Sequence, residues 1–224
     1  MSNLIKSLIL KYKAKREEKI VNAFHNLYYN NSKQTWFDTR WFGVNALKCP
    51  LDLWIYQEMI YEIKPDLIIE TGTANGGSAL YMASIMDLLN HGEIITIDVN
   101  RGENMPEHKR INYLHGFSTS QEIIDQVKTY VENKQKILVI LDSDHSKENV
   151  LGELRLYNKF VSKDSYVIVE DSNVNGHPTC PEFGPGPWEA IDAFLNENNE
   201  FEIDKKKEKF YLTLNPNGYL RKNK

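Results

Sequence analysis

The chain has 224 residues, of which 41% are hydrophobic and 26% are charged, as in a globular domain with a sizeable core. The formal net charge of −4 argues against sequence-blind binding of nucleic acid, which depends on a basic surface. We expect the two cysteines, Cys49 and Cys180, to be reduced thiols in a cytoplasmic protein. No apolar run is long enough to span a bilayer, and the N-terminus lacks a signal-peptide pattern.

The first segment, residues 4–29, carries apolar side chains at helical spacing, which predicts a helix. Residues 1–20 contain six basic side chains and two acidic ones. A basic amphipathic helix can lie on an anionic membrane, or it can pack its apolar side against a partner subunit. The thin apolar stripe and the mixed charges favour the subunit, so we predict a homo-oligomer. Peripheral membrane contact is the less favoured alternative.

Residues 30–50 are rich in aromatic side chains, namely Trp36, Phe37, Trp41 and Phe42. Aromatic side chains at this density either pack a loop onto the core or line a substrate pocket. We therefore predict an N-terminal unit over residues 1–50, consisting of the helix and an aromatic-rich cap segment. Residues 51–224 form the main domain.

From residue 51 onward the pattern alternates between helix and strand. Strands are predicted at 66–70, 93–98, 111–114, 137–141 and 165–170, and helices at 51–63, 78–89, 120–132, 147–160 and 187–198. The apolar runs 201–203 and 210–214 predict a terminal hairpin. Repeated strand–helix units predict an α/β fold: a Rossmann-like, doubly wound, mostly parallel seven-stranded sheet, preceded by N-terminal helices and closed by an antiparallel C-terminal hairpin.

The segment 67–78 reads as a buried strand, a glycine-rich turn and the start of a helix. Its glycines allow a tight turn close to a ligand, and the free N–H groups at a helix start can bind one. Glu70 at the strand tip would repel a phosphate but attract an ammonium or sulfonium cation. S-adenosylmethionine carries both cations, so it is the predicted cofactor. The candidate cofactor contacts here are Glu70, Gly72, Thr73, Gly76, Gly77 and Ser78.

Two further positions are candidates for cofactor contacts. Asp98 ends the strand 93–98, where a carboxylate can accept hydrogen bonds from the two hydroxyls of a ribose. Ser118 follows the strand 111–114, at a suitable place for an adenine contact. The glycine turn and Asp98 alone also fit a nicotinamide enzyme.

Four carboxylates follow two of the predicted strands. Asp142 and Asp144 come after residues 137–141, and Glu170 and Asp171 end the strand 165–170. Carboxylates this close repel one another unless a cation or protons compensate. Oxygen ligands with no cysteine nearby predict Mg²⁺ or a similar divalent ion. The alternative is an acidic loop in which Asp144 and Asp171 cap helices.

Proton transfer has two candidate residues at the same rim. Lys147 lies three residues after Asp144, and a lysine in a partly apolar cleft beside a metal can act as a base. It can equally be an ordinary surface lysine. His145 is either a base or a structural hydrogen-bonding group, and the sequence does not separate these roles.

A long loop follows Glu170 and Asp171. Residues 175–188 contain four prolines and three glycines, which forbid regular structure. A loop this long inside a compact domain is usually functional. We predict a semi-rigid substrate wall or lid, with Phe183 and Trp188 as surfaces on which a sugar or another ring could stack.

Several of these segments together resemble the cephalosporin-hydroxylase-type family, which includes rhamnosyl O-methyltransferases. The segments are CPLDLW from Cys49, ETGTANGGSA from Glu70, LDSDHS from Leu141, VEDSNVNGHP from Val169 and FGPGPWEA from Phe183. The resemblance runs from about Trp41 to the C-terminus. It implies that residues 51–224 form a class I methyltransferase domain that binds S-adenosylmethionine and Mg²⁺.

The resemblance also implies site residues. The three metal acids of the family match Asp144, Glu170 and Asp171, and we expect Asp144 to lie near the cofactor as well. Asp142 matches no metal ligand. The spacing from Asp144 to Lys147 is similar to that in catechol O-methyltransferase, where the lysine is the base.

We therefore predict an S-adenosylmethionine- and Mg²⁺-dependent O-methyltransferase. Its acceptor would be a hydroxyl of a sugar or glycoconjugate, of the surface polysaccharide or glycolipid type. The alternatives are a methyltransferase of a small-molecule natural product, an NAD-dependent oxidoreductase and a non-catalytic scaffold. An iron oxygenase is rejected because its candidate ligands, His91 and Glu93, stand before a strand, at the rim opposite the glycine turn.

Overall fold

The computed structural model describes residues 3–33, 35–100, 102 and 104–223. The main elements are α1 (Asn3–Asn30), β1 (Arg40–Trp41), β2 (Val44–Asn45), α2 (Pro50–Ile63), β3 (Leu67–Thr71), α3 (Gly77–Leu89), β4 (Glu93–Asp98), β5 (Ile111–His115), α4 (Gln121–Val131), β6 (Ile137–Leu141), α5 (Lys147–Tyr157), β7 (Tyr166–Val169), α6 (Pro187–Glu197), β8 (Phe201–Ile203) and β9 (Tyr219–Lys222). Short 3-10 helices span Thr35–Asp38 and Lys205–Glu208.

Seven strands form the central sheet in the order β5-β4-β3-β6-β7-β9-β8. Strands β3 to β7 run parallel, and β9 is antiparallel to both β7 and β8. This arrangement confirms the predicted α/β fold with its antiparallel C-terminal hairpin. The strand order reverses direction between β3 and β6, which opens a crevice at the carboxyl ends of these two strands.

The apolar runs of the sequence explain the strands at the centre of the sheet. Every residue of β3 and of β6 is buried. Helices α4, α5 and α6 cover one face of the sheet, and α2 and α3 cover the other. Because both faces are covered, these strands are continuous apolar runs rather than alternating ones.

The second strand of the terminal hairpin was predicted wrongly. Strand β8 lies where predicted, but its partner is β9, and residues 210–214 form no strand. Leu212 and Leu214 are nevertheless buried, in a cluster with Cys49. The backbone N–H of Leu214 donates a hydrogen bond to the buried carboxylate of Asp52 at 2.8 Å. The apolar run therefore reflects an anchored loop, which local pattern cannot distinguish from a strand.

Helix α1 forms as predicted but contacts the rest of the chain mainly near its C-terminal end. Every side chain described between residues 5 and 20 is exposed; the side chains of Leu4 and Lys6 lie outside the description. His25 is buried and lies 3.1 Å from the side-chain amide of Asn173. Asn26 donates a hydrogen bond to the carbonyl of Pro178 at 3.1 Å. The predicted division of the chain at residue 50 stays a prediction.

Candidate active site

A cleft of about 620 Å³ opens at the carboxyl ends of the parallel strands. One side of the cleft is formed by the glycine turn and the segments after β4 and β5, and the other by the segments after β6 and β7. The sequence-predicted residues among those lining it are Gly72, Asp98, Ser118, Asp144, His145 and Asp171. The fold therefore brings part of the candidate cofactor turn and two of the three candidate metal acids, Asp144 and Asp171, into a single cavity, whereas Glu170 is not among its lining residues.

Glu70 lies beneath the glycine turn and is completely buried. One carboxylate oxygen accepts a hydrogen bond from Ser78 Oγ at 2.6 Å, and the other accepts one from Thr96 Oγ1 at 2.7 Å. Burial raises the pKa of Glu70, while Lys48 and the two hydroxyls oppose that shift. Glu70 thus connects β3 by hydrogen bonds to β4 and to the start of α3. Its predicted contact with a cation of the cofactor stays a prediction.

The glycines of the turn are required by close packing. Gly72 has φ +88°, and a Cβ atom there would overlap the carbonyl oxygen of Asp142. Gly76 precedes α3 in the left-handed conformation, with φ +73°. A Cβ atom on Gly77 would overlap the backbone of Asn45 in β2. The turn therefore packs against both the metal side of the cleft and the β1–β2 hairpin.

Asp98 is bonded to the same turn. Its Oδ2 atom accepts hydrogen bonds from the backbone N–H groups of Thr73 at 2.9 Å and Ala74 at 3.0 Å. Its Oδ1 atom accepts one from the N–H of Asn100 at 2.8 Å. The carboxylate thus fixes the turn relative to β4. The roles predicted for Asp98 in ribose binding and for Ser118 in adenine binding stay predictions.

On the other side of the cleft, the side chains of Asp142, His145 and Asp171 converge. Each offers one ligand atom, and these atoms all lie within 4.8 Å of one another. Asp171 is the only member that the sequence had also predicted as a metal ligand. Asp144 is exposed at the rim, and its Oδ1 accepts a hydrogen bond from the N–H of Ser146 at 2.7 Å. The metal-ligand roles of Asp144 and Glu170 stay predictions.

Sequence reasoning missed the cation at the centre of this rim. Lys48 Nζ lies 2.7 Å from Oε1 of Glu170 and also forms an ion pair with Asp142. Its side chain is only 3% exposed. Lys48 directly precedes one of the segments that carry the family resemblance, but it is 94 residues from Asp142 in sequence. Nothing local in the sequence indicates that the folded chain places this ammonium among the acids.

The charges at the rim shift one another's pKa values. Burial would lower the pKa of His145, but the Asp171 carboxylate, 3.1 Å from Nε2, raises it to about 9. Burial would raise the pKa of Asp171, and His145 lowers it on balance. Burial and the nearby carboxylate of Asp142 raise the pKa of Glu170 to about 8, against the opposing effect of Lys48.

Lys147, the second candidate base, begins α5. Its backbone N–H donates a hydrogen bond to the carbonyl of Pro185 at 3.1 Å, which links the helix to the proline-rich loop. Within the described ranges, its ammonium has no ion-pair partner. In His145, by contrast, Nε2 is engaged by Asp171 and the buried Nδ1 has no partner.

The proline-rich loop lies beside the rim. The ring of Trp188 stacks on that of His177, with centroids 4.1 Å apart and planes 4° apart. His177 Nε2 lies 2.9 Å from Oε1 of Glu189, which fixes the imidazole. One face of Trp188 is therefore covered, while Phe183 is 42% exposed. The predicted stacking of substrate on these two rings stays a prediction.

The donor set on this side of the cleft is suitable for a divalent ion. Two aspartate oxygens and an imidazole nitrogen lie within 4.8 Å of one another, and Asp144 lines the same cleft. Carboxylates are the ligands that Mg²⁺ prefers, whereas the imidazole would suit a transition metal better. A set centred on Asp171 and completed by neighbouring acids is thus consistent with the predicted ion.

Comparison with known proteins gives a clear result. A model described as "Rhamnosyl O-methyltransferase/CmcI" matches residues 33–223. A rhamnosyl O-methyltransferase of Mycobacterium bovis (strain BCG / Pasteur 1173P2) is 40% identical over 211 residues, covering 91% of this chain and 85% of the relative. A Mycobacterium leprae (strain TN) protein of the same name is 38% identical over 209 residues, covering 91% and 90%. The family match begins ahead of Trp41, so it includes part of the aromatic-rich segment.

Solved structures show the same fold at lower identity. A structure described as "cmcI-D160 Mg-SAM" has a TM-score of 0.65 and 20% identity, covering 84% of this chain and 78% of the other. The O-methyltransferase NovP has a TM-score of 0.53 and 15% identity, covering 77% and 79%.

Proposed function

This chain belongs to the rhamnosyl O-methyltransferase/CmcI family, and from that membership we propose that it methylates a sugar hydroxyl with S-adenosylmethionine. The predicted acceptor is a hydroxyl of a sugar or glycoconjugate of the surface polysaccharide or glycolipid type, and the names of the relatives favour a rhamnosyl or related unit as that sugar. The observation that carries the proposal is the single cleft that joins the glycine turn to the acidic rim. An NAD-dependent oxidoreductase or a scaffold would have no use for this acidic rim.

On the cofactor side, the proposal is supported by a turn that is fixed by hydrogen bonds and by the carboxylate of Asp98 beside it. The turn is fixed from below by Glu70 and from the side by Asp98. Asp98 would accept hydrogen bonds from ribose hydroxyls, and Ser118 would lie beside the adenine. Because these groups are already bonded in place, cofactor binding requires little reorganisation.

On the acceptor side, Asp144, Glu170 and Asp171 would hold Mg²⁺, with Asp142 and His145 beside them. An ion held by these residues would lower the pKa of an acceptor hydroxyl and help to orient it. The walls of the cleft would hold the acceptor oxygen close to the methyl group, and methyl transfer depends on that proximity.

The proton of the acceptor hydroxyl would pass to His145 or Lys147. In the arrangement seen here His145 is protonated at neutral pH, because Asp171 raises its pKa to about 9. It could accept a proton only when the Asp171 carboxylate is engaged elsewhere. Lys147 has no such partner in the described part of the chain and lies next to the loop 175–188.

The test is a methyl-transfer assay with a panel of glycosides. We expect S-adenosylhomocysteine to form with rhamnosyl acceptors when Mg²⁺ is present, and its formation to stop with EDTA and resume when Mg²⁺ is restored. Mass spectrometry should find one added methyl group on the acceptor. Turnover that persists unchanged in EDTA would contradict the metal requirement, and binding of S-adenosylmethionine without turnover on any sugar would contradict the proposed acceptor class.

The proposal also includes a cytoplasmic homo-oligomer. Apolar side chains of α1 such as Leu8, Leu10 and Tyr12 are more than half exposed, which supports a protein partner for this helix. No helix within the described residues has both the length and the apolar character needed to cross a membrane. Light scattering of the full chain and of a variant lacking residues 1–20 would test the oligomer, which we expect to weaken on truncation.

A further inference from the structure

The acidic rim contains a second layer of contacts beneath its candidate metal ligands. Oε1 of Glu170 lies 2.7 Å from Nζ of Lys48 and accepts a hydrogen bond from the hydroxyl of Tyr56, also at 2.7 Å. No hydrogen bond within the described part of the chain involves the other oxygen, Oε2. The two oxygens of this carboxylate are therefore inequivalent: Oε1 has two partners, and Oε2 has no hydrogen bond that would have to be broken before it bound an ion.

The inward contacts are themselves fixed. The side-chain amide of Asn215 donates a hydrogen bond to the hydroxyl of Tyr56 at 3.2 Å. Its carbonyl oxygen accepts one from the backbone N–H of Asp171 at 3.1 Å, where the backbone is left-handed with φ +51°. Tyr56 and Asn215 are essentially inaccessible to solvent. The same buried group thus connects the orientation of Glu170 to the backbone of Asp171.

Lys48 joins this layer to the other half of the rim. Its ammonium pairs with Asp142 as well as with Glu170, and Asp142 Oδ1 lies 3.9 Å from Nε2 of His145. Acidic and basic groups therefore alternate along the rim, from Glu170 through Lys48, Asp142 and His145 to Asp171. Without the ammonium, the half-buried carboxyl of Asp142 and the buried carboxyl of Glu170 would be neighbours with no cation between them.

We propose that Lys48 is a positioning residue for the metal site: it fixes Oε1 of Glu170 inward and so directs Oε2 toward the ion. Lys48 contacts neither cofactor nor acceptor in this role and acts only through the carboxylates of Glu170 and Asp142. The inference rests on the proposed Mg²⁺-dependent function. Contacts made behind a ligand commonly change metal affinity by about 10- to 100-fold.

A purely structural role would make a different prediction. An ion pair that only stabilises the fold would lower the melting temperature when removed, and the metal affinity of the folded fraction would not change. A positioning residue must change metal affinity while the cofactor side of the cleft stays intact. Mn²⁺ is a suitable probe because its free and bound forms differ in their electron paramagnetic resonance spectra.

The experiment compares full-length wild type with Lys48→Met, which preserves the length of the side chain and removes its charge. We expect Mn²⁺ to bind about 10- to 100-fold more weakly to the variant. The affinity for S-adenosylmethionine, measured by calorimetry without metal, should change less than threefold. Tyr56→Phe removes the other donor to Oε1 and should weaken Mn²⁺ binding in the same direction.

The matched control is Lys207→Met. Lys207 also pairs with a glutamate, Glu62, at 2.7 Å, but it lies outside the cleft. Mn²⁺ affinity should be unchanged in this variant. Lys48→Gln, which retains an N–H donor in the same space, should recover part of the affinity lost in Lys48→Met.

Unchanged or tighter Mn²⁺ binding in folded Lys48→Met would overturn the proposal. If that variant does not fold, Lys48→Gln and Tyr56→Phe decide, and unchanged Mn²⁺ affinity in both would overturn it. A wild type that binds S-adenosylmethionine but no Mn²⁺ would instead remove the metal from the proposed function, so the two failures are distinguishable.

Discussion

The two halves of the cleft satisfy their carboxylates in different ways. The half that carries the glycine turn is the candidate cofactor half. In it, Glu70 accepts hydrogen bonds from two hydroxyls and Asp98 accepts them from backbone N–H groups. The half that carries the acidic rim is the candidate metal half, in which the carboxylates of Asp142, Glu170 and Asp171 are paired with the cations of Lys48 and His145. The first half uses neutral donors that belong to the fold, and the second uses charges.

This difference has a functional consequence. Neutral donors held on the strands, turns and helices of the fold keep the same geometry whether or not a ligand is present, so the cofactor half is preorganised. Carboxylates paired with cations can exchange those partners for a divalent ion, and their interactions respond to nearby charge. We therefore expect substitutions in the metal half to alter metal binding and turnover, and substitutions in the cofactor half to alter stability and cofactor affinity.

The largest expected effect is that of Asp171→Asn in the metal half. Asp171 is the one residue common to the predicted ligand set and the observed cluster. The substitution keeps the shape but removes the charge, so turnover should fall about 1000-fold, which corresponds to about 4 kcal/mol of transition-state stabilisation. Steady-state kinetics at saturating Mg²⁺ would measure this loss.

The matched control for that substitution is Asp164→Asn. Asp164 is a surface acid paired with Arg221 at 2.8 Å, outside the cleft. Its replacement should leave kcat and the affinity for S-adenosylmethionine unchanged. Turnover of Asp171→Asn within tenfold of wild type would show that this acid is dispensable and would break the distinction between the two halves.

Gly72→Ala tests a place where the halves touch. A Cβ atom at this left-handed position would overlap the carbonyl oxygen of Asp142. We expect the free energy of unfolding to fall by roughly 4 kcal/mol, of which about 1–2 kcal/mol comes from the left-handed backbone and the rest from displacing Asp142. Chemical denaturation would measure the loss.

Gly43→Ala is the control for the backbone contribution alone. Gly43 also has a left-handed backbone, with φ +83°, but a Cβ atom there meets nothing within 4 Å. Gly43→Ala should lower the free energy of unfolding by only about 1–2 kcal/mol. An equal loss in both variants would mean that the close approach of the two halves contributes nothing.

Most of the fold could be predicted from the sequence because β3, β4, β6 and β7 are buried on both faces. Continuous apolar runs mark such strands directly, and the predicted boundaries fall within one residue of those observed. The terminal hairpin is different. The run 210–214 is buried by tertiary contacts of a loop, whereas the true strand, Tyr219–Lys222, is short and follows a turn.

The candidate site was predictable to the extent that sheet topology determines it. Residues that follow parallel strands meet at one edge, and Asp98, Asp144 and Asp171 accordingly line one cleft. Lys48 could not be placed in this way, because it lies before α2 and reaches the rim only through the packing of the cap segment. A buried cation among acids is a property of the folded chain rather than of a local motif.

The next prediction concerns the pH dependence of stability, tested with His25→Gln. His25 is a buried residue that lies behind the metal half. Burial lowers the pKa of His25 to about 4. The imidazole takes up a proton near pH 6.5 in the unfolded chain and near pH 4 in the folded chain. Its contribution to the free energy of unfolding is therefore complete above pH 6.5 and is lost as the pH falls toward 4. The full loss amounts to about 3 kcal/mol.

Melting curves from pH 7 to pH 4 would check this contribution. The wild type should lose stability more steeply than His25→Gln below pH 6.5, because glutamine does not titrate. Identical slopes would show that His25 is not the group that destabilises the attachment of α1 to Asn173 in acid.

The smallest expected effect is that of Ser78→Ala in the cofactor half. The substitution removes the hydroxyl that donates to Oε1 of Glu70 and leaves that buried oxygen without a partner. The expected loss of stability is about 1–2 kcal/mol, within the usual range for an unsatisfied buried acceptor. Thr129→Ala is the control, because its exposed hydroxyl bonds only within its own helix and should change stability by less than about 0.5 kcal/mol.

The informative measurement on Ser78→Ala is ligand binding. If neutral donors preorganise the cofactor half alone, calorimetry should find weaker binding of S-adenosylmethionine, by about threefold to tenfold as expected for a neutral hydrogen bond. Mn²⁺ affinity should stay the same, because the ion pairs of Lys48 and His145 within the described residues are formed with the carboxylates of the metal half and not with Glu70. A parallel loss of Mn²⁺ affinity would mean that the turn transmits strain through Gly72 to Asp142, and the two halves would then behave as one cooperative site.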